Sequence, residues 1–124
     1  MNIEEIRDYC LSKAHTIEAF PFDELTMVFR VGDTAGKQGK IFALCSLDKP
    51  DYVLLKCNPE VALELRDRYP DEIEPGWHMN KRHWNGIFLT GPRLTDADIR
   101  EMIDRSYALV AASLPKGQRN ELGL

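Results

Sequence analysis

The sequence predicts an α+β domain, an antiparallel β-sheet packed with helices, on three observations. Helix starts are marked in three places: Asn2 with Glu5 and Thr95 with Asp98 have capping-box spacing, and Asn58-Pro59 joins a cap residue to a proline at the first helical position. Three strand-like runs follow one another with connections shorter than a parallel crossover needs. The chain has 124 residues, 44% hydrophobic and 29% charged, which is ordinary globular composition and enough length for one core without disulfides or metal.

Each element has its own warrant. Ile3, Ile6, Cys10 and Ala14 recur at helical intervals, so residues 3–14 are expected to be an amphipathic helix. From Leu25 to Val31 the residues alternate, with Leu25, Met27, Phe29 and Val31 on one face and Thr26, Val28 and Arg30 on the other. Ile41 to Leu47 is apolar at nearly every position, as in a central strand, and the Gly-rich run 32–40 between the two reads as a hairpin loop. Lys49-Pro50-Asp51 reads as a second turn, and Tyr52 to Cys57 as a third strand, completing a meander. Val61, Ala62, Leu65 and Tyr69 form the buried stripe of a helix that Pro70 ends. After a turn at Pro75-Gly76, His83 to Thr90 is a fourth strand, with Trp84 and Phe88 on one face and Phe88 in the core. Ile99, Met102, Ile103, Tyr107, Val110 and Leu114 mark a long helix that stops before Pro115. One domain spans 1–124, with 115–124 a frayed tail docked by Leu122 at most.

Composition excludes several classes. The three cysteines are an odd number without framework spacing, and the acidic N-terminus carries no leader pattern, so a reduced, cytoplasmic protein is expected. No apolar stretch approaches the roughly 20 residues of a membrane span. The net charge of −4 excludes a histone-like polycation, but the charge is segregated. Residues 1–74 carry 9 basic and 15 acidic groups, whereas residues 75–124 carry 7 basic and 5 acidic. Phosphate-loop, dinucleotide and serine-hydrolase motifs are all missing, so no enzyme is expected and no cofactor.

The run Lys56-Cys57-Asn58-Pro59, then Leu65-Arg66 and Tyr69-Pro70, then residues 75–85 with their core His78-Met79-Asn80-Lys81-Arg82-His83-Trp84-Asn85, then Ser106 to Val110, resembles the MmcQ/YjbR-like family. The resemblance covers nearly the whole chain and implies a frataxin-like (CyaY-like) arrangement of sheet and helices. It also implies a DNA-binding role through two wing-like loops, and no catalytic residues. The chain departs from the family pattern in its longer 32–40 connection and in having Trp77 where a smaller aromatic residue is expected.

Between Glu74 and Asp96 there is no acid, while Lys81, Arg82, Arg93, His78, His83, Trp77 and Trp84 all fall there. Cations release counterions from phosphate and indole rings stack on bases, so this basic-aromatic surface is the candidate nucleic-acid site. Lys40, Lys56, His78, Lys81, Arg82, His83, Trp84 and Arg93 are its candidate residues, with Lys37 and Lys40 on a flexible 32–40 finger. DNA binding would be weak and largely sequence-nonspecific. The bland reading of the same residues is buried tryptophans and solvated turn charges. The alternative function is a protein- or peptide-interaction module docking a partner on a sheet edge or face. A monomer is expected. His78 and His83 lack metal-site company, the acids Glu4, Glu5 and Asp8 suit a helix N-terminus, and Cys57, just before a helix, reads as a small buried residue closing a strand rather than a nucleophile.

Overall fold

The computed structural model describes residues 1–77 and 79–124. The elements in chain order are α1 (Ile3–Leu11), β1 (Thr16–Ala19), β2 (Thr26–Val31), β3 (Lys40–Ser46), β4 (Lys49–Lys56), α2 (Pro59–Arg68), β5 (Ile73–Pro75), β6 (Trp84–Phe88), α3 (Asp96–Ser113) and α4 (Lys116–Leu122). The six strands form one sheet in the order β1-β2-β3-β4-β6-β5, and every neighbouring pair is antiparallel. The α+β architecture expected from the three helix caps and the meander is therefore the one found.

The capping signals work as the sequence implies. Asn2 and Thr95 each accept from the third helical amide, and Glu5 and Asp98 reach back to the cap backbone. Asn58 accepts from the Glu60 amide with Pro59 opening α2. One sheet face lies against the helices: Met27, Phe29 and Val31 of β2, Cys45 of β3, and Val53 and Leu55 of β4 pack with Ile6 and Cys10 of α1 and with Ile99, Ile103 and Val110 of α3. Between Phe29 and Arg30 the register shifts, so that Phe42 has no partner across the ladder and both Phe42 and Ala43 are buried in the core.

That bulge needs an outside partner for its backbone. Ser106, wholly buried on α3, supplies one: its hydroxyl donates to the Phe42 carbonyl at 2.6 Å and accepts the Lys56 amide at 2.9 Å. One side chain thus ties α3 to both β3 and β4.

The differences from the sequence reading lie in short edge elements. Helix α1 stops at Leu11 rather than residue 14, and His15, at φ 59°, turns the chain into β1, an unpredicted four-residue edge strand. Such a strand is defined by its pairing with β2 rather than by its own pattern. Pro75 ends edge strand β5 instead of opening a turn. Lys49-Pro50-Asp51 belongs to β4, and Ser46 pairs with Lys49 around Leu47-Asp48. Phe88 is half-buried and lies outside the main core, whereas Trp84 is 7% exposed. The 115–124 segment is helical: Gln118 of α4 is buried and donates to the carbonyls of Gly32 and Gln38. Asp33 accepts from the Gly39 amide and from Arg30, so the 32–40 loop is pinned at both ends and is no free finger.

Ser106→Ala would orphan a buried carbonyl and a part-buried amide together. We expect it to lower unfolding stability by about 1–3 kcal/mol, read as a fall in the urea midpoint at unchanged slope.

Candidate functional site

The helices cover one face of the sheet, and the chemistry-bearing residues gather on the other. In the β4–β6 register Tyr52 faces Phe88, Leu54 faces Gly86 and Lys56 faces Trp84, while Glu74 of β5 flanks Gly86 from the far side. A side chain at position 86 would run into the Tyr52 phenol. Gly86 therefore leaves the gap across which the Tyr52 ring lies, and the phenol reaches over it to donate to Glu74 Oε1 at 2.8 Å. The Phe88 ring meets Tyr52 edge-on at 4.9 Å. A register shift at the start of β4 brings the Lys49 ammonium over both rings, 4.1 Å from the Tyr52 centroid and 5.0 Å from that of Phe88.

Two loops wall this floor into a groove of about 600 Å³, with Phe22 on one side, Trp77 and Met79 on the other, and Leu44 and Leu54 between. Val28 and Leu54 on this face are 0% and 5% exposed although no helix covers them. Phe22 and Trp77, in contrast, are 66% and 57% exposed. The Phe22 loop is fastened by the Asp23 carboxylate, which accepts the amides of Leu25 at 2.8 Å and Thr26 at 2.6 Å. The turn at 79–83 is held from α2. The Arg66 guanidinium donates to Asn85 Oδ1 at 2.7 Å, to the Trp84 carbonyl at 3.2 Å and to the Lys81 carbonyl, while Asn80 caps the turn by accepting the Arg82 and His83 amides. A Cβ on Gly76 would press on Trp84, so the chain enters this loop at van der Waals contact with β6.

The candidate nucleic-acid residues divide. Lys81 is exposed with its ammonium 5.0 Å from the Trp77 ring, Arg82 is exposed beside it, and the half-buried His83 and Lys56 lie at the same end of the β4–β6 pair. Trp84 belongs to this end too, but it is buried and offers no free stacking face; the accessible indole is Trp77. Lys40 does not join them, because its ammonium donates to the Ser113 carbonyl at the end of α3, 2.9 Å away. Arg93 is also elsewhere: it donates to the Arg68 carbonyl at the end of α2 and lies over the Tyr69 ring. His78 lies outside the described residues.

Cys57 is half-buried, and burial pushes its thiol above the ordinary value despite the opposing pull of Arg105 and Arg66. That is the reverse of an activated nucleophile, and its amide meets the backbone carbonyl of His83, not the ring. Among the described residues no cluster of three His, Cys, Asp or Glu side chains is placed to hold a metal ion, and no helix is long and apolar enough to cross a membrane.

The groove itself was missed from sequence. Its signals were the glycine inside β6 and the apolar residues on both faces of β2 and β4, which mark a sheet whose two sides are each partly covered.

Fold and site together define a class of open-faced antiparallel α+β domain with helices on one side of the sheet and an aromatic groove on the other. The chain belongs to the YjbR family, whose family model matches residues 11–109. It is 31% identical over 123 residues to "Uncharacterized protein YjbR" of Escherichia coli K12, covering 98% of each chain. To "Uncharacterized protein YbdF" of Escherichia coli O157:H7 it is 37% identical over 98 residues, covering 78% of this chain and 74% of the relative. The crystal structure of Deinococcus radiodurans protein DR2400, a DUF419 domain, superposes with a TM-score of 0.89 at 37% identity over 98% of this chain and 88% of that one. A Pseudomonas syringae protein gives a TM-score of 0.69 at 30% identity over 89% and 99%.

Burial, and then the bond to Glu74, hold the Tyr52 phenol well above the ordinary value of 10.0. The folded state therefore keeps this proton more tightly than the unfolded chain does. Its contribution is complete below pH 10 and is lost as pH rises above that value. In a urea series between pH 8 and pH 11, wild-type stability should fall beyond about pH 10, and Tyr52→Phe should flatten that fall.

Proposed function

We infer that the chain is a binding module that takes a bulky apolar side chain of an extended partner peptide into the groove on its helix-free sheet face, without chemistry of its own. One observation carries this reading: two large aromatic side chains, Phe22 and Trp77, stand exposed on opposite walls of an apolar groove whose size suits one or two side chains. Both walls are fastened, by Asp23 on one side and Arg66 on the other, so the groove exists before a partner arrives and little ordering entropy opposes binding.

A nucleic-acid role has weaker support. Trp77, Lys81 and Arg82 supply one stacking ring and two exposed cations, but Lys40 and Arg93 are bonded to helix ends away from them. With the half-buried Lys56 at the same end, these few cations still give a small counterion release on a chain of net charge −4.

The two readings separate in one experiment on the uniformly ¹⁵N-labelled chain. Acetyl-Trp-Asn-amide at millimolar concentration should shift the amides of Leu44, Leu54 and Gly86, and the shifts should be lost in Phe22→Ser with Trp77→Ser, whose circular dichroism should match wild type because both side chains are exposed. A labelled duplex at low salt is the other arm. If the peptide leaves the groove amides unmoved while Lys81→Glu with Arg82→Glu weakens duplex binding at least about tenfold, the nucleic-acid reading stands instead.

A further inference from the structure

The groove is apolar in its walls but not neutral at its rim. Lys49 rests on the Tyr52 and Phe88 rings, and Lys81 rests on the Trp77 ring on the opposite wall. Both side chains belong to exposed residues, and among the described residues neither ammonium has a carboxylate within ion-pairing distance. The carboxylate that lines the groove, Glu74, already accepts the Tyr52 hydroxyl. An entering aromatic ring therefore meets one of these cations in the groove lining, Lys49, and the second, Lys81, at the edge, where it rests against the Trp77 ring without lining the groove itself.

We propose that the groove selects a peptide segment in which the aromatic anchor is flanked by an acidic side chain, whose carboxylate is drawn to Lys49 and Lys81. This rests on the docking role inferred above and names the chemistry of the partner. Cation–π contact keeps each ammonium at the aromatic wall without satisfying its charge by a counter-ion, so the cations are positioned before an anion arrives. Charge complementarity of this kind sorts partners more than it adds raw affinity, because the ammonium groups stay partly hydrated. The net charge of −4 opposes an acidic partner at long range, where salt screens it beyond about 10 Å, and the Glu74 carboxylate opposes it within the groove, so the partner's carboxylate has to lie toward the two lysines and away from Glu74.

Three probes that differ at one side chain test the proposal: acetyl-Trp-Asp-amide, acetyl-Trp-Asn-amide and acetyl-Trp-Lys-amide, titrated into the ¹⁵N-labelled full chain at low and at moderate salt. The Asp peptide should bind about two- to fivefold more tightly than the Asn peptide, the range expected of exposed charge pairs, with the Lys peptide weakest. The Asp-to-Asn ratio should shrink as salt is raised and fall to one in Lys49→Gln with Lys81→Gln. A ratio of one in the wild type, or a ratio that survives in the double variant, overturns the charge selection while leaving the docking role standing. If no peptide moves the amides of Leu54 and Gly86, the docking role falls, and the selection with it.

Discussion

A single hydroxyl fixes how the two layers of this molecule meet. The bulge at Phe42 gains an extra apolar side chain for the core but leaves a carbonyl outside the β2–β3 ladder, and the β3–β4 pairing extends no further than Ala43 with Leu55, which leaves the Lys56 amide beyond it. Ser106 satisfies both groups from inside α3, a buried position where either one left alone would cost as much as a lost hydrogen bond. Because one oxygen serves both strands, α3 has one register and one height over the sheet. The stripe of Ile99, Ile103 and Val110 then enters the core chiefly over β3 and β4. α1 closes the same side through Ile6 and Cys10, and its Tyr9 hydroxyl reaches Asp104 on α3. With that side complete, the opposite face of a six-stranded sheet has no helix left to cover it.

The parts of the fold legible in the sequence are those whose stability is local. Capping boxes and a proline at the first helical position are read within four residues, and each of the three stands where the spacing placed it. The β2–β3–β4 meander was likewise visible in alternation and short connections. Strands β1 and β5 were not, because four and three residues carry too little pattern and their identity lies in pairing with β2 and β6. Helix α4 follows the same logic from the other end of the chain. Nothing in Lys-Gly-Gln-Arg predicts a docked helix, and what docks it is Gln118 bonding two carbonyls of a loop some 80 residues earlier. For the candidate site, charge segregation pointed to the stretch after Glu74, to which Trp77 and Lys81 belong. It did not reveal which cations were already committed to helix ends, since Ser113 and Arg68 meet Lys40 and Arg93 only in three dimensions.

The helix-free face solves its exposure in an uneven way. Val28 and Leu54 are hidden, so the two loops do shield apolar surface, and at roughly 25 cal/mol per Å² that shielding is a real share of a marginal stability. Yet Phe22 and Trp77, which stand on those loops, keep more than half of their own surface in water. A covering layer selected only for stability would lay these rings flat on the sheet, where each would add burial. Here the Asp23 carboxylate fastens one loop at its own base and the Arg66 guanidinium fastens the other, and the two rings stand as walls of the groove.

Gly86 explains why the floor between those walls is polar at one point. Any larger residue in β6 would fill the space that the Tyr52 ring now crosses, and without that crossing the phenol would not reach Glu74 on the next strand. The strand accepts the entropic penalty of a central glycine, about 0.5–1 kcal/mol relative to alanine, and gains an aromatic surface spanning three strands. Lys49 then has a ring to rest on, which a flat aliphatic floor could not provide, and its charge is kept at the groove rather than released to solvent. Backbone register, a missing side chain and the ring-bound Lys49 are thus consecutive steps of one construction, and this part of the groove's chemistry follows from the order in which β4, β6 and β5 lie side by side.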